Sequence, residues 1–497
     1  MNRSMTRFVR LSSSLLTILL LAGCINLGPD YHPPEVVTQP DWLEANDPLL
    51  GDGPDVDPRW WQTAFHDPVL DRLVETALEQ NLTLRSAGLR VLQSQQQLAI
   101  AIGNQFPQQQ QATGLASRQK ENSVTFNNYS LGLNLAWEVD FWGRFRRQVE
   151  SATAALDASV ASYDAALVSL VSQVAQTYIL IQTFEVRLEA ARYNIELQEE
   201  SFRIASSKFE AGEVSELDVS QAETLLNNTR ATLPGLQISL QQLKNSLATL
   251  LGMPPQDMSE LLGSIADIPS APPQVALGMP QDLIRRRPDI RIAERQLAAQ
   301  SAQIGVAITE LVPNFSIGGS IGTTALKSHD LFKDASETWS LFGSFEWNIL
   351  NYGRLQSNVR LQDAFFQQLL VDYRNAVLQA QGDIENAIVA YLKSHQQLTA
   401  YRNAAEASKR AVNIAIIRYQ QGEEDFNTLI NTLASNVQQD DLLAATRGSV
   451  ATNLVQVYRA LGGGWEIRGQ QDPVDLLPTA TKDEMRERTW LWWDALE

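Results

Sequence analysis

Trp137-Glu138-Val139-Asp140-Phe141-Trp142-Gly143-Arg144 returns 210 residues later as Trp347-Asn348-Ile349-Leu350-Asn351-Tyr352-Gly353-Arg354. In both places a stretch of alternating large and small side chains ends at a Gly-Arg step, and a long run without proline follows. Upstream of the first Gly-Arg, residues 131–140 place Leu131, Leu133, Leu135, Trp137 and Val139 on one side. Ahead of the second, Trp339, Leu341, Phe345, Trp347 and Ile349 share a side. Residues 315–322 alternate in the same way, and the Gln-rich 108–117 completes a set of four strands. Period-two alternation is what a strand with one apolar face requires. Each run has about the 9–11 residues of a tilted transmembrane strand, with Trp near its ends. Residues 118–128 and 324–338 are expected as polar hairpin loops. Four strands cannot close, and lipid does not tolerate open edges. Two copies would supply eight strands and three copies twelve.

The repeat extends well beyond these strands. Phe209-Glu210-Ala211-Gly212-Glu213 matches Tyr419-Gln420-Gln421-Gly422-Glu423, and Leu251-Gly252 matches Leu461-Gly462, again 210 apart. Leu84-Arg85, Ala101 and Pro107 match Ile290-Arg291, Ala307 and Pro313 at 206. The chain is therefore an internal duplication whose second copy carries a loop four residues longer between Pro313 and Trp347. Residues 145–211 hold no Pro or Gly, and 355–421 hold only Gly382. Each predicts a helix of roughly 100 Å. Residues 67–103 and 215–251 predict helices of roughly 55 Å. Pro234-Gly235 should kink one of these, and Arg287-Pro288-Asp289 should open the matching helix of the second copy. The long helices keep neither one apolar stripe nor sustained heptads. Rich in Ala, Ser and Gln, they suit a curved wall packed on both edges.

Arg3, Arg7 and Arg10 precede an interrupted apolar run at 11–21, which reads as a signal peptide. It ends Leu21-Ala22-Gly23-Cys24, resembling a bacterial lipobox in which Cys24 receives N-acyl and S-diacylglycerol lipid. Ile25 stands where inner-membrane retention calls for Asp, so outer-membrane sorting is expected. Seven prolines within 25–58 make an extended arm. The 497 residues carry 39 Lys+Arg against 57 Asp+Glu, a net charge of −18 that argues against nucleic acid. One Cys excludes an internal disulfide, and 4 His leave little for a metal site. No apolar run after residue 23 reaches the roughly 18 residues of a membrane helix, so strands must do any spanning. Gly318-Gly319-Ser320-Ile321-Gly322 matches the nucleophile-elbow pattern, but Ser320 sits inside an alternating strand rather than at a strand-to-helix turn. No nucleotide, zinc-protease or dinucleotide motif is present. The chain reads as a non-enzyme without an energy source of its own.

Together with Leu-Ala-Gly-Cys24, Trp60-Trp61, Asp67-Pro68, the 137–144 segment, Leu283-Ile284-Arg285-Arg286-Arg287-Pro288-Asp289-Ile290, Leu311-Val312-Pro313 and Leu461-Gly462-Gly463-Gly464-Trp465 carry a family resemblance. The chain resembles the outer membrane factors, the TolC-like ducts, and within them the NodT-type lipoprotein branch that serves resistance–nodulation–division efflux pumps. The resemblance implies a mainly α fold with transmembrane β structure. It implies a homotrimer, in which four strands per chain build a 12-stranded β-barrel in the outer membrane, continuous with a periplasmic α-barrel. It implies a passive exit duct working with a periplasmic adaptor and an inner-membrane pump. The rival reading is a lipid-anchored periplasmic scaffold without a pore, which has no use for alternating bulky residues beside Trp. The expected organisation is a signal peptide at 1–23, an anchored arm at 24–60, one repeat at 61–280, a second at 281–465 and a tail at 466–497. The repeats contain hairpins at about 108–140 and 314–349 and long helices at about 144–211 and 354–421.

Gly212 and Gly422 should end the long helices, because glycine supplies the positive φ that helix C-termini commonly need. In the family such turns form the periplasmic tip that constricts and meets the adaptor. Here the tip carries Glu213, Glu423, Glu424 and Asp425, which would either ring the pore or cap helix N-termini. The family's constriction Asp falls at Asn431, so an uncharged Thr428/Asn431 constriction is expected, with Asp218 the acidic candidate of the other copy. Arg418 and Tyr419 are candidates for hydrogen bonds that tie the closed mouth.

Overall fold

The computed structural model describes residues 25–35, 41–52, 57–263, 267–272, 275–277, 285–493 and 496. The segment expected as a signal peptide, and Cys24 after it, lie outside the described residues. The helices are α1 (Trp60–Phe65), α2 (Pro68–Gln80), α3 (Leu82–Gly103), α4 (Arg144–Glu210), α5 (Glu216–Leu250), α6 (Ser259–Leu262), α7 (Pro288–Thr309), α8 (Arg354–Gln421), α9 (Phe426–Ala460) and α10 (Thr479–Arg488). The strands are β1 (Leu50–Asp52), β2 (Gln109–Glu121), β3 (Val124–Val139), β4 (Val275–Leu277), β5 (Asn314–Ala325) and β6 (Glu337–Glu346). α4 and α8 run 67 and 68 residues, as the absence of Pro predicts.

Four expectations need correcting. The segment read as a loop at 118–128 is mostly ladder: β2 and β3 pair out to Glu121 and Val124. Only Asn122 and Ser123 turn, both at positive φ (48° and 66°), as a tight two-residue hairpin requires. The helix read over 67–103 breaks at Asn81, whose extended backbone lets its amide donate to the Leu250 carbonyl (2.8 Å) while its Oδ1 accepts from the Leu84 N–H (2.8 Å). β6 stops at Glu346 instead of 349, where Trp347 turns aside to donate its indole N–H to the Leu311 carbonyl (3.0 Å). Finally, an 18-residue window of α4 reaches a mean hydropathy of 1.4, enough by length and composition to cross a membrane. The window is no unbroken apolar run, and 67% of it is buried inside the chain, which marks a core helix. α5, for its part, continues through Pro234 as one element.

The chain forms two compact units. One comprises the described residues up to Glu35, Arg90–Val160 and Ile292–Asn375. Its sheet has the order β2-β3-β5-β6, all antiparallel, with β2 and β6 as open edges. The register gives the sheet two chemically distinct faces. One carries Leu131, Leu133, Leu135, Ile317, Ile321, Trp339, Leu341 and Phe345, all of them exposed. The other carries Gln111, Thr113, Asn134, Ser316, Ser320 and Ser340, with Asn134 bonded to Thr113 (3.1 Å) and Ser320 to Ser340 (2.8 Å). Ser320 is thus a ladder residue, not a nucleophile at a turn. The duplication is visible in the hydrogen bonds: Trp137 donates to the Gln105 carbonyl (3.2 Å) as Trp347 does to that of Leu311. The N-terminal arm is strapped to the start of α4, where buried Arg147 reaches the carbonyls of Leu27 (3.1 Å) and Gly28 (3.2 Å) and pairs with Asp30 and Glu150.

The second unit comprises the described residues of Val36–Leu89, Ala161–Arg291 and Ala376–Glu497. Trp60, fully buried, stacks on Tyr458 (4.8 Å) and meets Trp61 edge-on. Asp67 caps α2 through the N–H groups of Val69 and Leu70 and accepts from the Tyr178 hydroxyl (2.8 Å). Asp164, fully buried at the core of this unit, is held by Arg468 (2.9 Å) and Arg291 (3.1 Å). β1 and β4 pair in parallel, an element the sequence did not reveal.

Candidate functional site

Four helix ends share one turn. After α4 the N–H of Gly212 donates to Phe209 and that of Glu213 to Lys208, each at 2.9 Å. After α8 the N–H of Gly422 donates to Tyr419 (3.1 Å) and that of Glu423 to Arg418 (2.9 Å). These paired bonds close the last carbonyls of each helix and need a left-handed residue. Gly212 (φ +78°) and Gly422 (φ +73°) supply it. Gly252 and Gly462 end α5 and α9 with the same pattern.

The two tip turns come together within the second unit. Ala205 of α4, Ala222 of α5, Val412, Ala415 and Tyr419 of α8, and Phe426, Leu429 and Leu433 of α9 form one buried cluster. The Tyr419 ring lies 5.3 Å from that of Phe426, and the Lys208 ammonium stands 5.5 Å from the Tyr419 centroid. Tyr419 is only 3% exposed, and its hydroxyl finds no hydrogen-bond partner among the described residues. Burial first, then the carboxylates of Asp218 and Glu213, push its pKa up to about 12. Tyr419, Asp218 and Glu213, read from separate copies of the repeat, are therefore neighbours.

The charged residues make short-range pairs around this cluster. Lys208 bonds Glu213 (3.1 Å), and the Arg418 guanidinium stands 3.7 Å from Glu423 and 3.6 Å from Glu424. Asp425 is the N-cap of α9, its carboxylate accepting the Thr428 N–H (2.8 Å). The Ser215 hydroxyl donates to Asp218 (3.2 Å) at the start of α5. Thr428 and Asn431 stand exposed on α9, and the Asn431 amide donates to Asn427 (3.2 Å). Neither joins the buried cluster. Sequence reasoning missed Lys208, whose position four residues before Gly212 had no pattern to flag it. It also missed Phe426 and Leu429, which read only as ordinary helix residues.

Comparison with known proteins places this arrangement. The model of the family described as outer membrane efflux protein matches residues 73–253 and 279–463. The two matched segments begin 206 and end 210 residues apart, the offsets found in the sequence. Nodulation protein T of Rhizobium leguminosarum bv. trifolii is 31% identical over 451 residues, covering 90% of this chain and 94% of that protein. The pyoverdine export outer membrane protein OpmQ of Pseudomonas aeruginosa is 32% identical over 471 residues, covering 91% and 97%. Among solved structures, the outer-membrane channel OprN matches with a TM-score of 0.84 at 33% identity, over 89% of this chain and all of that one.

Proposed function

The chain belongs to the outer membrane efflux protein family, and from that premise we propose how its helical tip gates an outer-membrane exit duct. The duct is passive: it is a channel, not an enzyme, and it works within a tripartite efflux system. The observation that carries this reading is the open four-stranded sheet, apolar on one face and rich in Gln, Asn, Ser and Thr on the other, with Leu115, Phe126 and Phe342 among them. Such a sheet is stable in lipid only when its edges are paired. Three copies close twelve strands, with the polar face lining the passage. Lipid on Cys24 adds a tether on the outer membrane, and a periplasmic adaptor with an inner-membrane pump supplies cargo and drive.

Opening requires the hairpin α4–α5 to move against α8–α9, and magnitudes decide what resists it. Exposed ion pairs such as Arg418 with Glu423 and Glu424 contribute about 0.2–1 kcal/mol each. Removing a buried Phe or Leu from a shared core costs about 2–5 kcal/mol. The apolar contacts of Tyr419, Phe426, Leu429 and Leu433 are therefore the main closure within each chain, and the ion pairs trim it. Docking of the adaptor at the Gly212 and Gly422 turns would supply the energy to part them. Conductance of the trimer in planar bilayers tests this. Phe426→Ala should raise the closed-state conductance well above that of Arg418→Ala. Equal, unchanged conductance of both variants in intact trimers would contradict the proposal.

A further inference from the structure

The outward face of β3 is apolar from Val139 to Leu131 and closes with Tyr129, a span of eleven residues that matches the hydrocarbon thickness. β3 nevertheless continues to Val124, and β2 runs beside it to Glu121. On β2 the outward row reads Gln110, Ala112, Gly114 and Ala116, the last opposite Tyr129. The next two outward positions are Arg118, opposite Asn127, and Lys120, opposite Thr125. They stand one and two steps beyond the aromatic girdle, roughly 7 Å apart along the strand. On the other side of β3, Ala325 of β5 pairs with Tyr129, and Lys327 follows two residues later. All three cations are exposed, and none has a hydrogen-bonded or ion-paired side chain among the described residues. The nearby Asp330 pairs with Lys333 and His329, and its charge also reaches Lys327.

We propose that Arg118, Lys120 and Lys327 form a binding site for the phosphate groups of the glycolipid in the outer leaflet, one site on the lipid-facing rim of each third of the barrel. The inference rests on the outer-membrane reading above, which puts the hairpin turns at the outer surface and this face in lipid. Three cations at headgroup height beside an apolar wall match a ligand with acyl chains below and phosphates above. Guanidinium and ammonium groups make charge-assisted bonds to phosphate, and each cation near an anionic surface adds to the attraction. The same groups facing the passage would act on cargo, but the register places Arg118 and Lys120 on the opposite face.

The experiment uses the full-length trimer in detergent, with bis-phosphorylated lipid A as probe and its dephosphorylated form as control. Native mass spectrometry reads the lipid retained. The wild type should bind the phosphorylated lipid on the order of tenfold to a hundredfold more tightly, and Arg118→Gln/Lys120→Gln/Lys327→Gln should erase that preference. Inorganic phosphate at millimolar concentration should not displace the lipid; displacement would overturn the lipid as ligand. Equal retention of both lipids by wild type and variant would overturn the site. In a closed barrel β6 meets β2 of a neighbouring copy, so Glu337 is a competing partner. If the triple variant and Glu337→Gln both lower the trimer's dissociation temperature in lipid-free detergent, with lipid preference intact, the cations serve subunit pairing and the inference fails. A chain that forms no trimer would sink the outer-membrane reading itself, whereas a trimer blind to phosphate sinks only this site.

Discussion

Tyr419 shows how one residue reports on the tip. Its hydroxyl is buried beside Asp218 and Glu213, and both burial and those charges favour the neutral form. In the unfolded chain it ionises near its ordinary value of 10.0, and in the folded tip near about 12. The folded state therefore loses stability as pH rises from the first value through the second. Hydrogen exchange on the turns around Gly212 and Gly422 should accelerate over that window in the wild type and much less in Tyr419→Phe. Identical profiles would show that the hydroxyl is not buried in the closed tip. Asp164 offers a second residue-scale test. It is fully buried between Arg291 and Arg468, so Asp164→Ala strands two guanidinium groups and should cost about 3–5 kcal/mol. Limited proteolysis near Trp465–Arg468 should then speed up, because Arg468 anchors that segment. The burial of neither residue could be read from sequence. Tyr419 was legible as a candidate tie at the mouth, and Asp164 is one acid in a helix full of polar residues; the charged groups beside them come from chain segments more than a hundred residues away.

At the scale of elements, the four glycine turns separate conformational cost from steric cost. An added Cβ at Gly212 or Gly422 meets nothing within 4 Å, while at Gly252 it would lie 2.3 Å from the Gln80 carbonyl oxygen. Gly212→Ala and Gly422→Ala should each cost about 1–2 kcal/mol from the left-handed backbone alone. Gly252→Ala must also displace backbone, so its melting temperature should fall furthest; equal falls for all three would contradict the turn geometry. The long helices and these turns were legible because 145–211 and 355–421 hold no proline and, between them, only Gly382, and glycine then returns where a helix must stop. The β2–β3 hairpin was misread in its outer half for an equally physical reason. Beyond the lipid band the outward face turns polar with Arg118, Lys120, Thr125 and Asn127, so the outward apolar row that marks the strand is lost while the ladder itself continues. Asn81 likewise breaks a helix through a bond to Leu250, a tertiary contact that no local pattern announces.

For the whole molecule, the duplication, the strand deficit and the family all point to one assembly. The sheet's chemistry was readable from sequence because lipid and water impose opposite demands on alternate residues. The joining of both tip turns in one cluster was not, since it depends on how four helices pack. The most direct measurement is imaging of the detergent-extracted, full-length protein. The account predicts end views with threefold symmetry around an open lumen and side views of a tube well over 100 Å long, as helices of 67 and 68 residues require. Monomers, or rods with no lumen, would contradict it and return the chain to the class of anchored scaffolds.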